Sequence, residues 1–383
     1  MDDNSIVAPI QRRTWAEIDI NNIRYNYSVL RDRIDSKVKI CCVIKANAYG
    51  HGAVKLAHEY ERLGADFFAV SNLEEAIELR TNNISLPILI LGYTNPNCAK
   101  MLFDYNITQC VFSLSYARLL NEEAKSFGCI VKTHLKIDTG MTRLGFSTDS
   151  NSLFEILKLR ELENLTFEGI FTHFSSADEG ELGEEYTRLQ IKRFKETVEF
   201  LENRGFKFKI KHCSNSAGAV DYPEATFDMV RLGIVLYGCQ SELIRNSCNL
   251  RYAMTLKTVI SSIKCVPCDT YVSYSRTYKT NKETTIATLP IGYADGLWRA
   301  NSKNGLKVCV NGKPAYVIGK ICMDQCMVDI SDFNDGLSEG NEVTVFGETD
   351  GYTVDDIAKL NGTINYEILC SLGARIPRIY KYN

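Results

Sequence analysis

The sequence contains no apolar run that approaches the ~20 residues needed to span a bilayer. It also has little excess of either charge, since 44 Lys and Arg residues nearly balance 47 Asp and Glu residues, and its basic residues form no cluster. This balance argues against a nucleic-acid-binding surface. The first five residues, MDDNS, are acidic and polar, unlike a secretory signal. We therefore expect no nucleic-acid partner and no membrane contact from this chain, although the sequence leaves open an anchoring domain outside it.

Paired metal-ligand motifs are also missing. Cys265 and Cys268 form a lone CxxC pair with no second pair or histidine close by, so we expect no metal site. Many of the 14 cysteines, such as Cys41 and Cys110, lie in apolar runs, where a reduced cysteine packs like a small hydrophobic residue. A reducing cytoplasm is therefore the expected location.

The length of 383 residues is sufficient for about two domains. In the first two thirds, apolar runs alternate with amphipathic helical stretches. The predicted strands are 39–44, 66–70, 87–91, 108–112, 130–137, 166–172, 206–212 and 228–234. Eight strand–helix units favour a (β/α)8 barrel, in which functional groups lie at the carboxyl ends of the strands.

The pattern changes after Gly238. Short β-rich runs separated by turn residues follow, and they predict a smaller, mainly β domain. We place the barrel at residues 13–240 and the β domain at residues 241–383.

A lysine follows the first predicted barrel strand. Residues 38–44, VKICCVI, form an apolar, β-branched run typical of a strand that is buried on both faces. Burial of Lys45 would cost hydration free energy and lower its pKa, making the amine a nucleophile that can form a Schiff base. The local pattern by itself favours a simpler alternative, in which Lys45 extends to solvent from the strand end.

The longer string VIKANAYGHG, residues 43–52, closely resembles the pyridoxal-phosphate lysine motif of the alanine racemase family. Further family motifs follow in order and cover essentially the whole chain after the first dozen residues. They are LKIDTGMTRLG (135–145), THF (172–174), SNS (214–216), MVRLG (229–233), VSY (272–274), IGYADG (291–296), ICMDQCM (321–327) and INYE (364–367). The resemblance implies the barrel and β-domain architecture and pyridoxal 5'-phosphate as cofactor.

The resemblance also implies which residues bind this cofactor. Lys45 is expected to hold it covalently, and Arg231 to face its pyridine nitrogen. The full implied set is Lys45, Tyr49, His173, Asn215, Ser216, Arg231, Gly233, Ile234 and Tyr366. Loops after strands seven and eight of such barrels often bind phosphate, which fits Asn215, Ser216 and Gly233. The alternatives are an ordinary helix cap for Ser216 and a strand-end salt bridge for Arg231.

Arg231 bears on the type of reaction. Many enzymes with this cofactor place an acid beside the pyridine nitrogen, which makes the ring a strong electron sink. A guanidinium stays charged and can only donate, so Arg231 should keep that nitrogen unprotonated and suppress side reactions. His173 and His212 are expected near the ring, although a lone buried histidine is more often structural.

Racemisation removes the α-proton from one face of Cα and returns one to the other, which two bases on opposite faces do most directly. The family match assigns these roles to Lys45 and to Tyr274 of the partner subunit, which implies a head-to-tail homodimer. Without the motif, Tyr274 would be one of 20 tyrosines.

The resemblance further assigns substrate contacts to Arg143, Met323 and Tyr293, and a carbamate on Lys136 that orients Arg143. Asp178 and Arg299 are expected near the substrate entrance. Four positions depart from the family pattern. They are Thr142 and Ser275, where glycine is common, Arg276, where alanine is usual, and Lys320, where arginine is usual and whose side chain lacks the planar arginine fork.

Our prediction is a bacterial alanine racemase that supplies D-alanine for peptidoglycan. A serine racemase for vancomycin-resistant precursors is the alternative, because pockets discriminate weakly against one added hydroxyl. An amino-acid decarboxylase would need an acid where Arg231 lies. A non-catalytic carrier of the cofactor would lack the β domain that supplies Tyr274 and Met323.

Overall fold

The computed structural model of the chain describes residues 13–333, 336–348 and 352–382. The chain divides into two compact units. The barrel unit contains residues 24–48 and 52–250, and the β unit contains residues 13–23, 49–51 and the described residues from 251 onwards. The sequence-based domain limits of 13–240 and 241–383 stay predictions, because these units group residues by contact and not by independent folding.

The first described elements are strand β1 (Thr14–Asp19) and helix α1 (Ile20–Arg33). The carboxylate of Asp19 accepts a hydrogen bond from the backbone N–H of Asn22 at 3.0 Å, which caps the start of the helix. Buried Ile23, Tyr27 and Leu30 follow at helical spacing.

Eight parallel strands form the barrel, and this confirms the predicted (β/α)8 fold. In chain order the eight strands are β2 (Lys39–Val43), β3 (Phe67–Val70), β4 (Ile88–Ile90), β5 (Ile107–Val111), β6 (Val131–Asp138), β8 (Leu165–Phe171), β9 (Ile210–His212) and β10 (Met229–Leu232). A further short strand, β7 (Phe146–Ser147), pairs with β6 and is not one of the eight. The ladder runs β10-β2-β3-β4-β5-β6-β8-β9. Backbone N–H groups of Asp228 and Arg231 donate to the carbonyls of Lys211 and Ser214 at 3.0 and 3.1 Å, which joins β9 to β10.

Helices connect these strands. They are α2 (Ala53–Arg62), α3 (Leu73–Thr81), α4 (Ala99–Asp104), α5 (Leu114–Ser126), α6 (Ser150–Leu157), α7 (Glu181–Glu202) and α8 (Ser216–Asp221), with 3₁₀ turns at Pro96–Cys98, Lys158–Glu161, Pro223–Ala225 and Ile234–Tyr237. Helix α5 shows why they form. The Ser113 hydroxyl caps the N–H of Tyr116 at 3.2 Å, and Ala117, Leu120 and Ala124 are buried at helical spacing. Burial of a leucine side chain contributes ~1.5–3 kcal/mol.

The β unit is built on a nine-stranded sheet. Its further strands are β11 (Met254–Val259), β12 (Ser262–Val266), β15 (Thr284–Leu289), β16 (Lys307–Val310), β17 (Lys313–Ile318), β18 (Cys326–Asp329), β19 (Glu342–Phe346) and β20 (Arg378–Lys381), while β13 (Tyr271–Val272) and β14 (Tyr278–Lys279) form a separate hairpin. Short helices are α9 (Asn301–Asn304), α10 (Val354–Leu360) and α11 (Asn365–Cys370), with 3₁₀ turns at Tyr274–Arg276 and Tyr293–Asp295. The predicted mainly β character of this part is confirmed.

Strand β1 joins this sheet although it is distant in sequence from the other strands. It pairs antiparallel with β11 and parallel with β20, a strand that sequence reasoning missed. Such pairings have no local sequence signal, because pairing depends on contacts formed only in the folded chain. Within the described ranges, no helix combines the length and apolarity that crossing a bilayer would require.

Candidate active site

Lys45 lies just beyond the carboxyl end of strand β2, and the backbone that follows it adopts the left-handed helical conformation. The φ angles of Ala46, Asn47, Ala48 and Tyr49 all lie between 51° and 53°. Residues with a Cβ atom avoid this region, at ~1–2 kcal/mol each. Consecutive strained residues persist only where surrounding contacts hold them, and such strain clusters at functional sites.

Two side chains hold this left-handed turn. Glu75 accepts hydrogen bonds from the backbone N–H groups of Ala46 and Ser71, both at 2.7 Å, with one carboxylate oxygen for each. The side-chain oxygen of Asn47 accepts from the N–H of Ala53 at 2.8 Å. Sequence reasoning missed Glu75, because nothing in its local pattern distinguishes it from an exposed helix glutamate.

Arg231 is buried on β10, and its partners are all uncharged. Its guanidinium donates to the carbonyls of Thr172 and Cys213 at 2.8 and 2.9 Å, and it contacts Nδ1 of His212 at 2.9 Å and Nδ1 of His173 at 3.3 Å. Burial lowers the pKa of Arg231 to about 10, which leaves the group charged at neutral pH. A buried charge without a counter-ion is costly, so this position suits an acceptor or anion from a bound group.

The two histidines beside Arg231 are uncharged at neutral pH. Burial is the main reason that the pKa of His173 and that of His212 lie well below the usual value. The charge of Arg231 lowers both further. Lys45 is among the cations that act on the pKa of His173, so these side chains share one electrostatic environment.

Lys136 is a second buried cationic group, on β6. Its Nζ lies 4.9 Å from the centre of the Phe171 ring. Burial, together with the charges of Arg231 and Arg143, lowers the pKa of Lys136 to about 7. No carboxylate of the described residues lies within ion-pair distance of this amine. A large fraction of Lys136 is therefore a neutral, nucleophilic amine at physiological pH.

Arg143 lies in the loop after β6, with its side chain exposed. Asp138 shapes this loop, since one carboxylate oxygen accepts from the N–H groups of Gly140 and Thr142 at 2.9 and 3.0 Å. Thr142 has φ of 57°, in the left-handed region that favours glycine. This angle explains why glycine is common at that position in the family pattern.

The residues predicted for phosphate binding meet at the carboxyl ends of β9 and β10. The side chain of Asn215 accepts from the N–H of Gly218 at 2.9 Å and so caps α8. The hydroxyl of Ser216 accepts from the N–H of Gly233 at 2.9 Å, and Ile234 begins the next 3₁₀ turn. The sequence left open that Ser216 is a helix cap, but in the structure Asn215 caps helix α8.

Tyr49 and Tyr366, the two tyrosines of the implied cofactor-binding set, lie together in the β unit. Their ring centroids are 5.8 Å apart in an edge-to-face arrangement. Tyr49 is buried in this packing.

Tyr274 lies on a strained turn of the β unit, and its side chain is 64% exposed. Ser273, Ser275 and Arg276 around it have φ of 66°, 60° and 50°. The Ser273 hydroxyl donates to the carbonyl of Lys320 at 2.6 Å, and the Lys320 amine donates to the Ser275 hydroxyl at 2.9 Å. The two family departures Ser275 and Lys320 are thus direct partners.

Tyr293 and Met323 lie on adjoining loops of the β unit, and both side chains are largely exposed. The N–H of Tyr293 donates to the carbonyl of Cys322 at 3.1 Å, and the N–H of Ala294 donates to that of Met323 at 3.0 Å. Buried Asp295 accepts from Arg375 at 2.7 Å and from the N–H of Gly292 at 2.9 Å.

The barrel unit therefore gathers Lys45, Lys136 and Arg231, with Arg143 near enough to lower the pKa of Lys136 and that of Arg231. This arrangement can hold an anionic group that carries a hydrogen-bond acceptor, beside an amine of lowered pKa. Among the residues that the structure describes, no three His, Cys, Asp or Glu side chains form a metal-binding group.

Two family models match the chain. The model described as alanine racemase, N-terminal domain, matches residues 18–241, and the model described as alanine racemase, C-terminal domain, matches residues 253–380. Alanine racemase 1 of Clostridium acetobutylicum is 44% identical over 376 residues, which cover 97% of this chain and 96% of that protein.

Solved structures are similar over the same extent. The alanine racemase of Clostridium difficile 630 aligns with a TM-score of 0.93 and 45% identity, covering 98% of this chain and 97% of that one. The alanine racemase of Bartonella henselae, solved with covalently bound pyridoxal phosphate, aligns with a TM-score of 0.85 and 27% identity over 96% of this chain and 99% of that one.

Proposed function

Because this chain belongs to the alanine racemase family, we propose that it moves the α-proton of alanine with two bases, Lys45 and the Tyr274 of a second copy. The overall activity follows from the family: the enzyme is an isomerase that interconverts L- and D-alanine. In a bacterium, its D-alanine would supply peptidoglycan synthesis. The observation that carries the proposal is the buried, charged Arg231, whose hydrogen-bond partners among the described residues are all neutral and which shares one electrostatic environment with Lys45 and Lys136.

Family members depend on pyridoxal phosphate, and the residues of this chain fit that group. A buried guanidinium without a carboxylate partner suits the pyridine nitrogen, which is an acceptor. Lys45 would hold the cofactor covalently. Tyr49, Ser216, Tyr366 and the backbone at Gly233 and Ile234 would hold its phosphate, with His173 and Asn215 beside it. When bound, pyridoxal phosphate acidifies the Cα–H of an amino acid by delocalising the electron pair that the proton leaves behind.

Arg231 would influence how far that delocalisation extends. A guanidinium donates hydrogen bonds and cannot accept them, and with a pKa of about 10 it does not deliver its proton at neutral pH. With the cofactor bound, Arg231 would therefore limit charge transfer into the ring and favour prompt return of the proton to Cα. An acid at this position would favour decarboxylation or transamination, so Arg231 argues against both.

Lys45 and Tyr274 would remove and return this proton on opposite faces of Cα, each acting as general base in one direction and as general acid in the other. Arg143 would bind the substrate carboxylate, Met323 would donate a backbone N–H to it, and Tyr293 would line the entrance. Carbamylation of Lys136 would convert a buried amine into an anion between Arg143 and Arg231, and its pKa of about 7 supplies the neutral amine that this modification needs.

A head-to-tail homodimer would bring Tyr274 to a neighbouring barrel. Tyr274, Met323 and Tyr293 expose 64%, 54% and 42% of their surfaces on the β unit. Exposed aromatic and methionine side chains are enriched at protein interfaces, which supports a role at the site of a second copy.

The test is α-hydrogen exchange in D₂O with L-alanine and, separately, L-serine, analysed by chiral chromatography and mass spectrometry. Deuterated D-alanine is the expected product, and Lys45→Ala should lose both the activity and the visible cofactor absorbance. Tyr274→Phe should impair proton transfer on one face and keep that absorbance. Exchange without inversion, or an unchanged absorbance in Lys45→Ala, would contradict the proposal.

The alternatives receive less support. The relatives described above are alanine racemases, and they do not support a serine racemase. A cofactor carrier without the β domain conflicts with the family match over residues 253–380.

A further inference from the structure

Three buried side chains form a hydrogen-bonded chain through the interior of the barrel. Arg231 on β10 contacts Nδ1 of His212 on β9 at 2.9 Å. Nε2 of His212 lies 3.0 Å from Nδ1 of His134 on β6. The chain leads from the proposed cofactor site to a part of the barrel that the reaction does not use.

The chemistry of Arg231 fixes the direction of every hydrogen bond in this chain. A guanidinium can only donate, so Nδ1 of His212 must accept. Burial and the charge of Arg231 lower the pKa of His134 to about 3 and hold that of His212 well below its usual value, so both rings are neutral. His212 therefore carries its proton on Nε2 and donates it to Nδ1 of His134, which in turn carries its proton on Nε2.

The barrel has an irregularity that makes room for His134. A Cβ atom on Gly169 of β8 would lie 2.7 Å from three atoms of the His134 ring, so only glycine fits there. The register of β6 and β8 also shifts between Thr133 and His134, where Phe167 and Gly169 are the successive partners and Glu168 is passed over. Such bulges often re-aim a side chain near an active site.

The far side of His134 opens to a small cavity. This cavity has a volume of about 190 Å³ and reaches the amino-terminal ends of β3 and β9 at Phe67 and Ile210, opposite the end where Lys45 lies. The charged groups that line it are Lys132, Glu168 and Lys209. Its size and polar lining suit water that accepts the Nε2–H of His134, for which the described residues provide no acceptor.

We propose that His134 is a positioning residue for Arg231. As the acceptor for the Nε2–H of His212, it holds that ring in the orientation that presents Nδ1 to the guanidinium, and so it holds Arg231 in one orientation. A leucine in its place would leave the Nε2–H of His212 without an acceptor and free the ring to rotate away from Arg231. The inference rests on the proposed role of Arg231, but the tautomers can be measured separately.

The experiment is ¹⁵N NMR of histidine-labelled, full-length protein, with and without pyridoxal phosphate. The wild-type protein should show Nε2–H tautomers for His134 and His212 and no titration of either between pH 5.5 and 8. His134→Leu should disturb the His212 signals, weaken pyridoxal phosphate binding and lower the racemisation rate at least tenfold. His134→Asn, whose side-chain oxygen can replace Nδ1 as acceptor, should restore most of these properties.

Several results would overturn the proposal. These are titration of His134 near pH 6.5 in the wild-type protein, unchanged His212 signals in His134→Leu, or equal losses in both variants. A wild-type protein with the expected tautomers but no racemisation would refute the proposed function and leave the hydrogen-bonded chain intact.

Discussion

At the scale of single residues, the barrel buries two basic groups whose protonation differs. Arg231 keeps its charge because even a pKa lowered to about 10 lies far above neutrality. The pKa of Lys136 falls to about 7, because burial and two neighbouring guanidinium groups all oppose its protonation. The same surroundings therefore produce one permanent cation and one amine that is largely neutral above pH 7.

The shift of Lys136 makes stability depend on pH. Its pKa is about 7 in the folded chain and near 10.5 when unfolded, so between these values the unfolded chain binds the extra proton and stability rises with pH. Lys136→Met should therefore stabilise the cofactor-free protein most below pH 7, by ~5 kcal/mol at most. This gain should shrink towards pH 10. Urea unfolding in CO₂-free buffer at pH 6.5, 8 and 9.5 measures it.

A matched control lies on the same strand. Lys132 is exposed on β6, and Lys132→Met should change the free energy of unfolding little and equally at all three pH values. A gain from Lys136→Met that did not fall as pH rises would show that the amine titrates normally in the folded protein.

Thr142 carries backbone strain that glycine would relieve. Its φ of 57° costs a β-branched residue ~1–2 kcal/mol, while glycine loses ~0.5–1 kcal/mol through the flexibility of the unfolded chain. Thr142→Gly should therefore raise the free energy of unfolding by up to ~1 kcal/mol. Thr166→Gly, at an exposed position of strand β8, should lower it by a similar amount. Calorimetry of both variants compares them, and destabilisation by Thr142→Gly would show that its strain is compensated.

At the scale of elements, the left-handed turn after Lys45 depends on Glu75. Glu75 has two carboxylate oxygens for two backbone N–H groups, those of Ala46 and Ser71, and glutamine offers one oxygen. Glu75→Gln should cost about 1 kcal/mol and speed hydrogen exchange at one of these amides. Glu74→Gln, one residue earlier and exposed, should do neither. Equal effects of the two substitutions would mean that the turn does not depend on Glu75.

A second strained element carries Tyr274. Its neighbours Ser273, Ser275 and Arg276 have positive φ. The carbonyl of Lys320 accepts a hydrogen bond from the Ser273 hydroxyl, and the Lys320 amine donates one to the Ser275 hydroxyl. The sequence showed Ser275 and Lys320 as separate departures from the family pattern. In the fold they are hydrogen-bonded to each other, with the Lys320 amine as donor and the Ser275 hydroxyl as acceptor.

The barrel strands were predictable from the sequence, and the strained turns were not. Hydrophobic periodicity located all eight barrel strands, because burial on both faces of a parallel sheet leaves continuous apolar runs. The left-handed turn has no such signature, since Ala46 and Ala48 are ordinary helix formers. Contacts made by Glu75 from helix α3 override that preference.

At the scale of the whole molecule, the proposed dimer predicts complementation between two inactive variants. Lys45→Ala and Tyr274→Phe chains, refolded as a mixture, should form about half heterodimers. Each heterodimer would contain one site with both wild-type residues, so the mixture should recover about a quarter of the wild-type activity. Racemisation assays on the mixture and on each variant alone measure this.

The outcome distinguishes two arrangements of the site. Recovery requires Lys45 and Tyr274 to come from different chains. Activity of the mixture no higher than the average of the separate variants would mean that the two residues act within one chain, which would refute the shared site.

The sequence alone determined the family, the fold class and the identity of the candidate residues, because ordered motifs and hydrophobic periodicity are local properties of the chain. The tertiary structure decided which of these residues meet. Among the described residues, it gave Arg231 only neutral hydrogen-bond partners and linked His134 to the site through His212. It also set the pKa of Lys136 through two guanidinium groups, at least one of which is far away in sequence. Burial and long-range electrostatics exist only in the folded chain, and they set the protonation on which the chemistry depends.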